Sequence, residues 1–191
     1  MSESSANNMK KINIEQFSQI WTDNWRASQG CLPQIEHDCD YPSPCEVGQA
    51  KDGELISWQP VARSSTIDLN NINQALEFDL HPSVVELFCR QFSGNLSAQF
   101  DGNWLEIIQP WNEEDFERLQ ENLIAHHLMK RKLKQRPSSF IAVTDDDMLI
   151  ISILNETGEV VLEPVGKEPS RVLAPDLGTF LAQLTPVMEQ D

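Results

Sequence analysis

Positive charge is scarce in this chain. Fourteen Lys and Arg stand against thirty Asp and Glu, a formal charge of −16 over 191 residues. A nucleic-acid binder needs a basic footprint, so the balance argues against that class. It also argues against adsorption of the whole surface to anionic lipid. No apolar run approaches the roughly 20 residues of a membrane span. No apolar block follows Lys10 and Lys11, so no signal peptide is expected and the protein is expected to stay in the cytoplasm. Eight glycines leave little room for a phosphate-binding loop, and G-x-S-x-G and H-E-x-x-H are absent. The cysteines, Cys31, Cys39, Cys45 and Cys89, are even in number, but without export they read as free thiols.

What is present suits one folded domain. Hydrophobic residues make up 40% of the chain, enough for a sizeable core. Residues 1–9 are polar and expected to be flexible, leaving 10–191 as a single domain. Ile14, Phe17, Ile20, Trp21 and Trp25 recur at helical spacing between Asn13 and Ala27, with Gly30 beyond the end. Residues 30–53, rich in Pro and Gly, predict an irregular connection with a short strand near Cys45–Val47. "ELISWQPV" (54–61) alternates like a strand ended by Pro60. A short helix is expected around Asn73, and another over 81–92 with Pro82 in its first turn. Asp101-Gly102 is a strong hairpin turn between "NLSAQF" and "NWLEIIQ". A helix over 112–134 stops at Pro137. Three strands, "SFIAVT", "MLIISIL" and "EVVLEPV", precede a closing helix at 175–186. Hairpin-linked strands predict an α+β fold with a largely antiparallel or mixed sheet packed with helices.

Charge is unevenly distributed. Glu113, Glu114, Asp115 and Glu117 fall within five residues at the start of the 112–134 helix. Asn112 as N-cap, and acids complementing the helix dipole, account for part of this. Glu113, Glu117 and Glu121 align along one ridge with no lysine between them, which exceeds what helix stability asks for and suggests a basic partner. Asp101 and Glu106 in the preceding hairpin complete a candidate acidic surface, on the expectation that hairpin and helix line one concavity. At the other end, "KRKLKQR" carries Lys130, Arg131, Lys132, Lys134 and Arg136, a candidate basic corner that could touch anionic lipid.

Other constellations are weaker. Cys31, His37, Cys39 and Cys45 share a loop, but C-x5-H-x-C-x5-C matches no usual zinc spacing. His126 and His127 are about 100° apart on a helix and cannot share one centre, and His127 falls near the apolar stripe. Asp145, Asp146 and Asp147 lack the EF-hand spacing and read as a solvated turn. No catalytic residue, metal or cofactor is assigned.

"YPSPC" (41–45), "QFSGNLSAQF" (91–100), "QPWNEEDFERLQENLIAH" (109–126), "FIA" (140–142) and "LNETGEV" (154–160) together resemble the bacterial Syd family, SecY-interacting proteins of the SUKH superfamily. The resemblance runs in order from about residue 10 to 186. It implies a non-enzymatic protein at the cytoplasmic side of the inner membrane, joined to it peripherally through SecY. It implies regulation or quality control of uncomplexed SecY, and a concave acidic groove for SecY's cytoplasmic loops. The rival within the same superfamily is an immunity or adaptor module for another basic protein.

Overall fold

Helix α1 (Ile14–Gln29) begins where sequence chemistry demands it. The Asn13 side chain accepts the Gln16 N–H while the Gln16 side chain accepts the Asn13 N–H, and Gly30 ends the helix at φ 72°. In this computed structural model the described residues are 10–188, so the segment expected to be flexible, 1–9, lies outside them. Phe17, Trp21 and Trp25 of α1 are buried, whereas Ile20 is exposed.

The connection after α1 is more ordered than its Pro and Gly content predicts. Strands β1 (Gln34–Glu36) and β2 (Glu46–Val47) pair antiparallel with the two sides of β3 (Leu55–Trp58). β3 stops just before Pro60, as the sequence predicts, since proline offers no N–H to a ladder. Beyond it, β4 (Val61–Ala62) leaves this sheet. Helices α2 (Asn70–Leu76) and α3 (Pro82–Cys89) follow, then β5 (Gln91–Phe92), which takes β4 as its partner.

The Asp101-Gly102 turn joins β6 (Leu96–Phe100) to β7 (Asn103–Ile107). Both turn residues have positive φ, 49° and 78°, as a two-residue hairpin of this hand requires. Helix α4 (Glu113–Lys132) leads into β8 (Ser138–Thr144), β9 (Leu149–Leu154), β10 (Val160–Pro164) and β11 (Arg171–Ala174). Helix α5 (Leu177–Gln183) is shorter than the expected 175–186, because the chain turns extended at Leu184 and β12 (Thr185–Pro186) pairs with β6.

One antiparallel sheet runs in the order β11-β10-β9-β8-β7-β6-β12. Arg171 in edge strand β11 comes within 3.7 Å of Asp101 in the β6–β7 turn, across three intervening strands, so the sheet curls toward a half-barrel. With five helices among the described residues, this is the α+β domain the hairpin pattern predicts.

The core joins the sheet's inward side chains, such as Leu96, Leu105, Ile107 and Ile153, to Phe17, Phe88 and Phe180 from the helices. Four tryptophans form a chain through it. Trp25 stacks on Trp21 (5.1 Å between ring centroids), Trp21 on Trp58 (5.7 Å), and Trp58 meets Trp111 edge-on (5.8 Å). Gly94 lies against this chain, where a Cβ would stand 2.7 Å from Trp58 Cζ2.

Helix α4 buries Phe116, Leu119, Leu123 and His127, the face its spacing predicts. His127 Nε2 lies 2.9 Å from Ser139 Oγ. Burial, with His126, Lys130 and Arg131 adding to it, pushes the His127 pKa down to about 4. An unfolded histidine titrates near 6.5, so the unfolded chain takes up this proton first as pH falls. Stability from this group is full above about pH 6.5 and declines toward pH 4, by roughly 3 kcal/mol at the lower end. His127→Gln removes the titration. Urea midpoints at about pH 7 and about pH 5 should therefore differ less in this variant than in the parent. An unchanged difference would assign the slope to other groups.

Candidate functional site

The 31–53 connection folds back over the start of α4. Asn112 Nδ2 donates to the Pro42 carbonyl at 3.0 Å, Ser43 Oγ donates to the Trp111 carbonyl, and Arg118 donates to the Tyr41 hydroxyl. These bonds fix the loop as one wall of a cleft of about 540 Å³. The helix start and the 93–95 segment form the others. Glu36, Asp38, Glu46 and Asp115 line it, with Arg118 as the single cation of the lining and Trp111 and Tyr41 as its aromatic surfaces.

Local chemistry holds the parts in place. Asn112 caps α4 by accepting the Asp115 N–H at 2.9 Å, and the Asp115 carboxylate accepts the Trp111 N–H at 2.8 Å. Asp115 also lies 3.5 Å from Arg118. Burial raises the Tyr41 pKa, and the Asp115 carboxylate raises it further, so the phenol stays neutral. Glu46 Oε1 lies 3.1 Å from His37 Nδ1.

Of the seven acids expected to form one surface, Asp115 lines the cleft. Glu113 accepts from Arg63 at 2.8 and 3.0 Å, and the guanidinium is sandwiched between Phe92 and Phe116, 4.1 and 4.2 Å from the ring centroids. Glu113 is thus tied down. Glu114, Glu117 and Glu121 are exposed, and among the described residues no salt bridge engages them. Glu106 is half-buried and accepts from Asn95 at 3.0 Å and Ser97 at 3.3 Å. Asp101 precedes β7, a strand of five residues and so roughly 17 Å long, whose far end leads to the helix, and Asp101 does not line the cleft. The last residue of β7, not the turn before it, leads into α4.

Glu36, Asp38 and Glu46 are the residues that sequence spacing does not join to the helix. Only the packing of 31–53 against α4 makes them part of a concavity.

The basic segment is also redistributed. Lys130 has a side chain only 1% exposed, and its Nζ donates to Glu163 Oε1 at 2.8 Å. It follows Leu123 by seven residues, two turns along the same buried stripe, so it points inward and cannot face lipid. Arg131 donates to the Leu76 carbonyl, and Arg136 pairs with Glu168 at 3.1 Å. Lys132 and Lys134 are exposed without a salt bridge among the described residues.

Cys31 and Cys39 are exposed, while Cys45 and Cys89 are buried. Burial pushes the Cys45 thiol up to about 11, far from the thiolate a nucleophile needs near neutral pH. Among the described residues, no three His, Cys, Asp or Glu side chains are grouped to hold a metal ion.

A family model described as Syd protein (SUKH-2) matches residues 11–186. The chain belongs to the Syd family. It is 42% identical to Protein Syd of Psychromonas ingrahamii over 182 residues, covering 95% of this chain and 98% of the relative. To Protein Syd of Pseudoalteromonas atlantica it is 46% identical over 154 residues, 80% and 83% of the two chains. To that of Aliivibrio fischeri strain MJ11 it is 42% identical, covering 93% and 98%. The Syd match spans the 31–53 loop, α4 and the whole curled sheet. The Syd family is not known as an enzyme family. Among the described residues, no helix is long and apolar enough to cross a membrane.

Proposed function

We propose that this protein binds the basic cytoplasmic loops of SecY, preferring SecY that is free of its complex, and so joins the cytoplasmic face of the inner membrane peripherally. The observation that carries the reading is the cleft, lined by four carboxylates, two aromatic surfaces and one guanidinium, with Glu114, Glu117 and Glu121 exposed on the helix whose start forms one of its walls. Cytoplasmic loops of membrane proteins carry an excess of Lys and Arg, the charge this surface lacks. Exposed ion pairs contribute only about 0.2–1 kcal/mol each, so several must act together, and salt must weaken them. The exposed Lys132 and Lys134 lie on a different part of the chain and add up to about 1 kcal/mol each against anionic headgroups.

Binding to immobilised SecY cytoplasmic-loop peptides at low and at physiological salt tests this. Glu114→Lys, Glu117→Lys and Glu121→Lys together should weaken binding about tenfold or more and flatten its salt dependence. Glu113 is left intact because it holds Arg63. Binding to peptides and to whole SecY that ignores both salt and the triple reversal would refute the acidic-surface reading.

A further inference from the structure

The curled sheet has a second concavity at the opposite end of β7. Ile151 pairs with Leu162 and Leu162 with Arg171, so by strand alternation their side chains share one face. On that face, Phe100 meets Phe180 of α5, with ring centroids 5.3 Å apart. Leu149, Leu162 and Leu173 remain half-buried. With Trp104, Leu105 and Ile151 they line a cavity of about 150 Å³. That is well below the roughly 300–1,000 Å³ of a small-molecule site and suits a single apolar side chain.

The rim is charged. Asp145 borders the cavity, Asp146 and Asp147 follow in the exposed β8–β9 turn, and Asp101 stands across from them with its side chain 71% exposed. Arg171 is the cation of the lining, 3.7 Å from Asp101. With Asp145 and Arg171 in its lining, Asp101 paired to that arginine, and Asp146 and Asp147 next along the turn, the socket's surroundings carry more negative than positive charge. Such a socket complements a polypeptide whose apolar residue is flanked by Lys or Arg.

We propose that this mouth is a second docking site, which takes one apolar side chain from a basic segment of a partner protein. The flanking cations meet Asp101, Asp145, Asp146 and Asp147. The site is separate from the cleft beside α4, and reversing Glu114, Glu117 and Glu121 leaves it intact.

The test uses the full chain with labelled methyl groups and a lysine-rich peptide carrying one central leucine. The leucine peptide should shift the methyl signals of Leu149, Leu162 and Leu173. A serine in place of the leucine should weaken binding about tenfold or more, as expected for losing one buried apolar side chain. Asp101→Asn with Asp145→Asn and Asp147→Asn, all at exposed positions, should weaken the leucine peptide several-fold while the unfolding midpoint holds. Equal binding of the leucine and serine peptides would overturn the proposal. So would shifts confined to the α4 cleft, or shifts at these methyls that grow with protein concentration alone and so identify a second copy as the occupant.

Discussion

Lys130→Met should cost the fold roughly 3–5 kcal/mol, and removing Glu163 as well should return most of that loss. Both side chains are out of solvent, 1% and 0% exposed. Glu163 accepts from Lys130 at 2.8 Å and from Ser138 Oγ at 2.6 Å, and Lys130 also donates to the Lys167 carbonyl at 3.3 Å. Taking the lysine away leaves a carboxylate in the core with a single hydroxyl donor. The double variant Lys130→Met with Glu163→Leu leaves no charge behind, which is why it should recover. Lys132→Met, two residues on but exposed, should change stability by less than about 0.5 kcal/mol.

His126 sharpens this test. Its ring lies 3.7 Å from Glu163, and burial depresses its pKa, with Lys130 adding to the effect and Glu163 opposing it. Without Lys130, His126 takes a proton more readily as pH falls and partly replaces the lost cation. The deficit of Lys130→Met should therefore shrink in mildly acidic solution. Urea denaturation across pH checks both statements. A loss below about 1 kcal/mol in Lys130→Met would mean that the lysine is not committed to Glu163 and remains free to serve the surface.

Trp58→Ala should be comparably severe, at roughly 3–5 kcal/mol. Trp58 is 6% exposed, stacks on Trp21, and meets Trp111 edge-on. It therefore ties α1, the three-stranded sheet and the entry to α4 together. Its loss opens a cavity behind Trp111, which lines the cleft. Binding of basic loop peptides should weaken along with stability, whereas Trp58→Phe should retain most of both. Thermal unfolding beside peptide titration distinguishes the outcomes. A Trp58→Ala protein that is destabilised but binds as tightly as the parent would show that Trp111 needs no backing, or that the cleft is not the binding surface.

Much of this molecule was legible locally. The Asn112 cap, Pro82 in a first turn, the Asp101-Gly102 hairpin and the buried stripe of α4 all follow from chemistry within a few residues. The short strands β1, β4, β5 and β11 were not legible, because two to four residues carry too little periodicity to distinguish a strand from a loop. They exist because partners distant in sequence supply their hydrogen bonds.

For the candidate site, the sequence by itself determined that the surface is acidic, that α4 begins with carboxylates, and, through strings spread over the chain, that this is a Syd protein. Tertiary structure alone decided which carboxylates come together. It drew Glu36, Asp38 and Glu46 to Asp115, tied Glu113 to Arg63, moved Asp101 to the other end of the sheet and buried Lys130 against Glu163. The reason is physical: a charge is counted along the chain, but its partners are set by distances that only folding fixes.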